Sequence, residues 1–133
     1  MEAPEAARND QFARHVGIQI LETREGFARV RMCIAPHHLN GMGMVHGGAI
    51  FSLADLAFEA ACNSHGYQSV AINVSISYVK PASAGTLYAE AMEVATEGRL
   101  GCCTVRVTDD GGDLVALFQG LSYRKGPPPA PRA

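Results

Sequence analysis

The sequence predicts an α+β domain: an antiparallel sheet of five or six strands curved around one long central helix, with a short helix near the N-terminus. Three observations carry that expectation. The run AIFSLADLAFEAAC (49–62) is apolar at helical spacing and nearly free of charge. The stretches on either side of it alternate with period two, as half-buried strands do. The links between them are mostly tight turns, which join antiparallel strands and cannot carry parallel crossovers.

The elements follow in order. Arg8 to His15 reads as a short helix, with Asn9 or Asp10 near its cap. Val16 to Glu22 and Phe27 to Met32 read as strands joined at Thr23-Arg24-Glu25-Gly26. Pro36 to Val45 is a loop holding glycines and histidines. The long helix runs from about Gly48 to Ser64, with Ile50, Leu53, Ala54, Ala57, Phe58 and Ala61 on one stripe and Ser52, Asp55, Glu59 and Cys62 on another. Gly66 supplies a stop near the C′ position. Its many alanines predict a helix enclosed on several sides. In Val70 to Lys80, alternation places Val70, Ile72, Val74, Ile76 and Tyr78 on one face and Ala71, Asn73, Ser75 and Ser77 on the other. After a break at Pro81 to Gly85, strands are expected at Thr86 to Thr96, Leu100 to Thr108 and Leu114 to Tyr123, with turns at Glu97-Gly98-Arg99 and Asp109 to Asp113. Residues 1–126 form one domain, and the proline-rich tail 127–133 is expected to be disordered.

Composition narrows the function. The chain has 133 residues, 47% of them hydrophobic and only 18% charged, with a net charge of -2. So low a charged fraction predicts surface buried against another copy. No basic cluster suggests nucleic acid, and no apolar run reaches the ~18 residues of a membrane span. Cys33, Cys62, Cys102 and Cys103 form no metal or redox motif, and Cys102-Cys103 point to opposite faces of a strand. They read as reduced thiols in a cytoplasmic protein.

The chemistry concentrates in NGMGMVHGGAIFSLADLAFEAACNS (40–64). Gly47-Gly48 after His46 offers bare backbone N–H groups where the helix begins. Asp55 is an acid in an apolar helix with no Lys or Arg between Gly48 and Ser64 to pair it. Glu59, one turn on, is the second-choice carboxylate. Gly47 and Asp55 stand eight residues apart, about 12 Å along a helix. One reacting carbon cannot touch both groups of one chain, so joint action requires a twofold dimer. His37, His38 and His46 fit no standard zinc spacing. Ser52 lies in no nucleophile-elbow motif.

At these residues the chain resembles the hotdog-fold acyl-CoA thioesterases of the phenylacetate-degradation type. The resemblance rests on Asn40 to Phe58, on SYVKPASAG (77–85) and on VALFQGLSYRKG (115–126). It implies a curved sheet around a central helix, and hydrolysis of an aryl-type acyl-CoA such as phenylacetyl- or hydroxyphenylacetyl-CoA. It gives Gly47 the carbonyl-polarising N–H and makes Asp55 of the facing subunit the base or nucleophile. Asn40 and His46 become orienting groups. Gly48, Asn73 and Glu59 join the substrate site, with Ala71 or Asn73 beside the water. Lys80 and Arg99 are candidates for the coenzyme phosphates, as are Arg124 and Lys125. It implies homodimers with shared sites that pair into homotetramers, and neither metal nor organic cofactor, since coenzyme A arrives with the substrate. Alternatives are a non-catalytic acyl-CoA-binding module, a hydratase or dehydratase of the same fold, and a medium-chain thioesterase.

Overall fold

A computed structural model describes residues 1–126, so the expected tail disorder falls outside the described residues. Two short helices, α1 (Glu5–Arg8) and α2 (Gln11–Val16), precede strands β1 (Ile18–Arg24) and β2 (Phe27–Cys33). After a 3-10 turn at Pro36–His38 comes α3 (Gly47–Cys62), then β3 (Ser69–Tyr78), β4 (Thr86–Glu97), β5 (Leu100–Thr108) and β6 (Leu114–Arg124). All pairings are antiparallel, in the order β1-β2-β4-β5-β6-β3. One curved six-stranded sheet around one helix is the hotdog fold.

The N-terminal segment differs from expectation in one respect. Asp10 does cap a helix, accepting the Ala13 N–H at 2.9 Å, but the residues ahead of it form α1, a separate turn of helix. Gly17, at φ 92°, ends α2 in the left-handed conformation that glycine adopts freely. Helix α3 also stops two residues earlier than predicted. Asn63 ends it: its Nδ2 donates to the Glu59 carbonyl at 2.9 Å and its Oδ1 accepts from the Ser69 N–H at 2.8 Å. One side chain therefore stops the helix and aims the chain into β3, whereas Gly66 only shapes the turn between them.

The core lies between α3 and the concave face of the sheet. Leu53, Ala54, Ala57, Phe58, Ala60 and Ala61 of α3 are buried against Val30, Met32, Leu87, Ala89, Val105 and Phe118. Phe58 meets Phe118 edge-on at 5.7 Å between ring centroids. Its ring lies where a side chain at position 120 would be, so Gly120 is fixed by packing.

The alternation expected for β3 fails at its start. Ala71 pairs with Ser122 and Asn73 with Leu121, leaving Ile72 as the extra residue of a β-bulge. One inserted residue reverses the faces on either side of it. Ser69 and Ala71 therefore share the concave face with Val74, Ile76 and Tyr78, while Val70 joins Asn73, Ser75 and Ser77 on the other.

Gly120→Ala should destabilise the fold by about 1–3 kcal/mol through overlap with Phe58. Urea denaturation measures the loss, and adding Phe58→Leu should recover part of it.

Candidate active site

The start of α3 is built around His46. A helix leaves its first four N–H groups without internal partners. Here the His46 carbonyl accepts from Ala49 and Ile50 at 2.9 and 3.2 Å, and its Nδ1 accepts from Gly48 at 2.8 Å. In the neutral ring the proton then sits on Nε2. Among the described residues the Gly47 N–H meets no acceptor. The cap satisfies three donors and leaves free the one at the positive end of the helix dipole.

Both glycines of the doublet answer to contacts. A Cβ on Gly48 would lie 2.9 Å from Nδ1 of His46, so the cap requires glycine there. A Cβ on Gly47 would lie 3.1 Å from the Tyr78 ring, whose hydroxyl donates to the Gly47 carbonyl at 2.9 Å. Tyr78, at the end of β3, is a site residue that sequence reasoning missed. Its signal was slight: the last aromatic of an alternating strand.

Asn40 closes the loop before the helix. Its Oδ1 accepts from the N–H groups of Met42 (2.9 Å) and Met44 (3.2 Å). Asn40, Gly47, Ile50, Tyr78 and Lys80 line one cleft of about 460 Å³. Lys80 is already engaged, with Nζ 2.8 Å from Asp109 and 2.7 Å from Asp113. Those hydrogen bonds hold its pKa above the ordinary lysine value.

Asp55 lies elsewhere. With Phe58, Glu59 and Cys62 it lines a cleft of about 210 Å³ walled by Ser69, Val70 and Ala71. Within one protomer the free amide and the carboxylate thus belong to separate clefts. Burial raises the Asp55 pKa, helped by the charge of Asp10. Burial also pushes Glu59 up to about 8, reinforced by its hydrogen bond with Asp10 and by the charges of Asp10 and Asp55. The Cys62 thiol, raised by burial to about 12, is no nucleophile.

Some candidates join neither cleft. The bulge turns Asn73 away, and Ala71 takes the place beside Asp55. Arg99 sits in the β4–β5 turn, its guanidinium 5.9 Å from the Tyr123 ring centroid. His38 spends both ring nitrogens on the backbone of Ala35 and Val16. No group of side chains suited to a metal ion occurs among the described residues, and no described helix is long and apolar enough to cross a membrane.

The thioesterase superfamily model matches residues 42–116, which include the glycine doublet, Asp55 and all of β3. The chain belongs to that superfamily, and its class is that of a thioester hydrolase. It is 40% identical to the acyl-coenzyme A thioesterase PaaI of Escherichia coli K12, over 89% of this chain and 85% of that one. The E. coli PaaI structure, of a protein from the phenylacetic acid degradation operon, superposes with a TM-score of 0.87, covering 91% of this chain and 88% of that one. A variant of the phenylacetic acid degradation protein PaaI from Thermus thermophilus gives a TM-score of 0.83 at 36% identity, covering 87% of this chain and 100% of that one.

The raised Glu59 pKa fixes a pH trend. A carboxyl that binds its proton more tightly folded than unfolded costs stability as pH rises between its unfolded and folded values. The thermal midpoint should therefore fall as pH climbs from the ordinary 4.5 to about 8. Asp55 adds in the same direction, and Asp10, whose pKa is lowered, acts only toward and below its ordinary 3.8. Calorimetry across that range should show a flatter slope for Glu59→Gln.

Proposed function

We propose that this protein hydrolyses aryl acyl-CoA thioesters at sites shared between two subunits. The observation that carries the reading is the free N–H of Gly47 in one cleft and a carboxylate, Asp55, in another. Each is half of a hydrolytic site. The fold supplies a way to join them. Strand β3 is an edge of the sheet and holds no charged residue, while the opposite edge, β1, carries Glu22 and Arg24. Charges commonly guard edges against pairing, and β3 lacks that protection. Val70, Ile72 and Tyr78 are all exposed on it.

Twofold antiparallel pairing of β3 with a second copy about its midpoint brings Ser69 near Tyr78 of the partner subunit. Tyr78 holds Gly47, and Ser69 walls the Asp55 cleft. The amide of one subunit then faces the carboxylate of the other, twice per dimer. In that shared site the Gly47 N–H and the helix dipole stabilise the oxyanion as the thioester carbon becomes tetrahedral. Asp55 takes the proton of the attacking water, or attacks the carbon itself. The C–S bond breaks, the acid leaves, and the proton goes to the coenzyme A sulfur.

No metal or organic cofactor enters this scheme, because backbone amides supply the polarisation and coenzyme A is part of the substrate. Likeness to the E. coli and Thermus PaaI proteins supports an aryl acyl group of phenylacetyl type, and a tetramer of two such dimers. The four free cysteines suit the reducing cytoplasm, where we place the reaction.

Asp55→Asn should lower kcat on the best acyl-CoA by at least about 10²-fold, followed through thiol release. Full activity in that variant would remove Asp55 from the mechanism. Phenylacetyl-type thioesters should exceed medium-chain ones in kcat/KM, and the reverse order would overturn the aryl assignment. Gly47→Pro deletes the N–H at a helix position where proline is tolerated, and should cost about 10²- to 10³-fold. Mixing Gly47→Pro with Asp55→Asn subunits should restore about one quarter of wild-type activity, since half the dimers regain one of two sites. Failure to complement, with mixed dimers formed, counts against shared sites.

A further inference from the structure

We propose that Asp10 is a positioning residue for the Asp55 site: from the cap of α2 it shares one proton with Glu59 and so sets the hydrogen-bonding state of the carboxyl one helical turn from Asp55. This rests on Asp55 being the reacting carboxyl. The two short N-terminal helices pack on the side of α3 that the sheet leaves open. At their junction stands Asp10, whose carboxyl caps α2 and also hydrogen-bonds Glu59. Two carboxyls can bond only if one of them holds a proton.

The surroundings decide which. Asp10 also receives the backbone N–H groups of Ala13 and Phe12, and these favour its ionised form. Burial alone would raise its pKa, but with the Glu59 bond added the balance falls below the ordinary value. No backbone donor supports Glu59. The ionisable groups around it are Asp10 from α2, and Asp55 and the Cys62 thiol from α3. Beyond Cys62 lies Glu93, and β3 contributes only Ser69, Val70 and Ala71 to the cleft. The cations of the N-terminal segment turn away: Arg8 bonds the Ala3 carbonyl and Glu2, and Arg14 the Arg8 carbonyl. Glu59 therefore holds the proton and donates it to Asp10.

The consequence falls on Asp55. With Glu59 neutral and its proton committed to Asp10, Asp55 remains an independent base. Were Glu59 ionised, the two α3 carboxyls would compete for one proton and titrate as a pair. Asp10 thus acts on the reaction through Glu59.

Asp10→Asn tests this, because asparagine caps a helix as well as aspartate while its amide donates to Glu59 and favours the carboxylate. Asp10→Ser is the second variant, keeping a cap but too short to reach Glu59. The Glu59 carboxyl, followed by carbon NMR in the intact protein, should titrate near 8 in the wild type. In both variants it should titrate at least about one pH unit lower. At neutral pH kcat should fall about tenfold with KM changed less than about twofold. Glu59→Gln with Asp10→Asn should be no worse than Glu59→Gln alone. Unchanged Glu59 titration in folded variants, or an added loss in the double variant, overturns the proposal. A fully active Asp55→Asn protein overturns the underlying reading instead, while a shifted Glu59 titration would still establish the proton-sharing pair.

Discussion

Enclosure of α3 by a single sheet is the constraint on which the molecule depends. The helix is too apolar to stand in water, and the concave face of the sheet takes most of its surface. Polar chemistry can enter only where the sheet does not reach. Two places remain: the N-terminal end and the stripe bearing Asp55 and Glu59. The first offers an electrophile, a backbone donor backed by a helix dipole. The second offers carboxyls whose pKa burial raises. Their distance along the helix axis forbids joint action within one protomer.

Strand β3 turns that geometric problem into an assembly. Its start walls the carboxylate cleft, and its end carries the tyrosine that grips Gly47. An uncharged edge that runs from one half-site to the other gives a second copy a reason to bind and a register in which to do so. The bulge at Ile72 sharpens the arrangement. It turns Ala71 toward Asp55 and sends Asn73 to the other face, so the carboxylate keeps a small apolar neighbour.

Local capping does more here than end helices. His46 consumes three of the four donors at the start of α3 and exposes the fourth. Asn63 ends the helix and starts β3 with one amide. Asp10 caps a helix of only six residues and reaches the catalytic stripe as it does so. In each case a short polar side chain satisfies backbone groups and sets the position of a functional group with the same atoms.

Much of this was legible in the chain itself. Hydrophobic period gave the long helix and the six strands, because burial on one face imposes that period wherever an element forms. The glycine doublet and Asp55 stood out because bare amides and unpaired acids are costly in apolar surroundings. Other features had no local signature. The face reversal in β3 arises from one residue unmatched on β6, a fact of pairing between distant strands. Tyr78 against Gly47 and Asp10 against Glu59 join residues far apart in sequence, and Lys80 is paired by the distant Asp109–Asp113 turn. Periodicity reports which way a side chain faces relative to its own element. Which groups meet there depends on how the chain closes in three dimensions, and only the tertiary structure decides that.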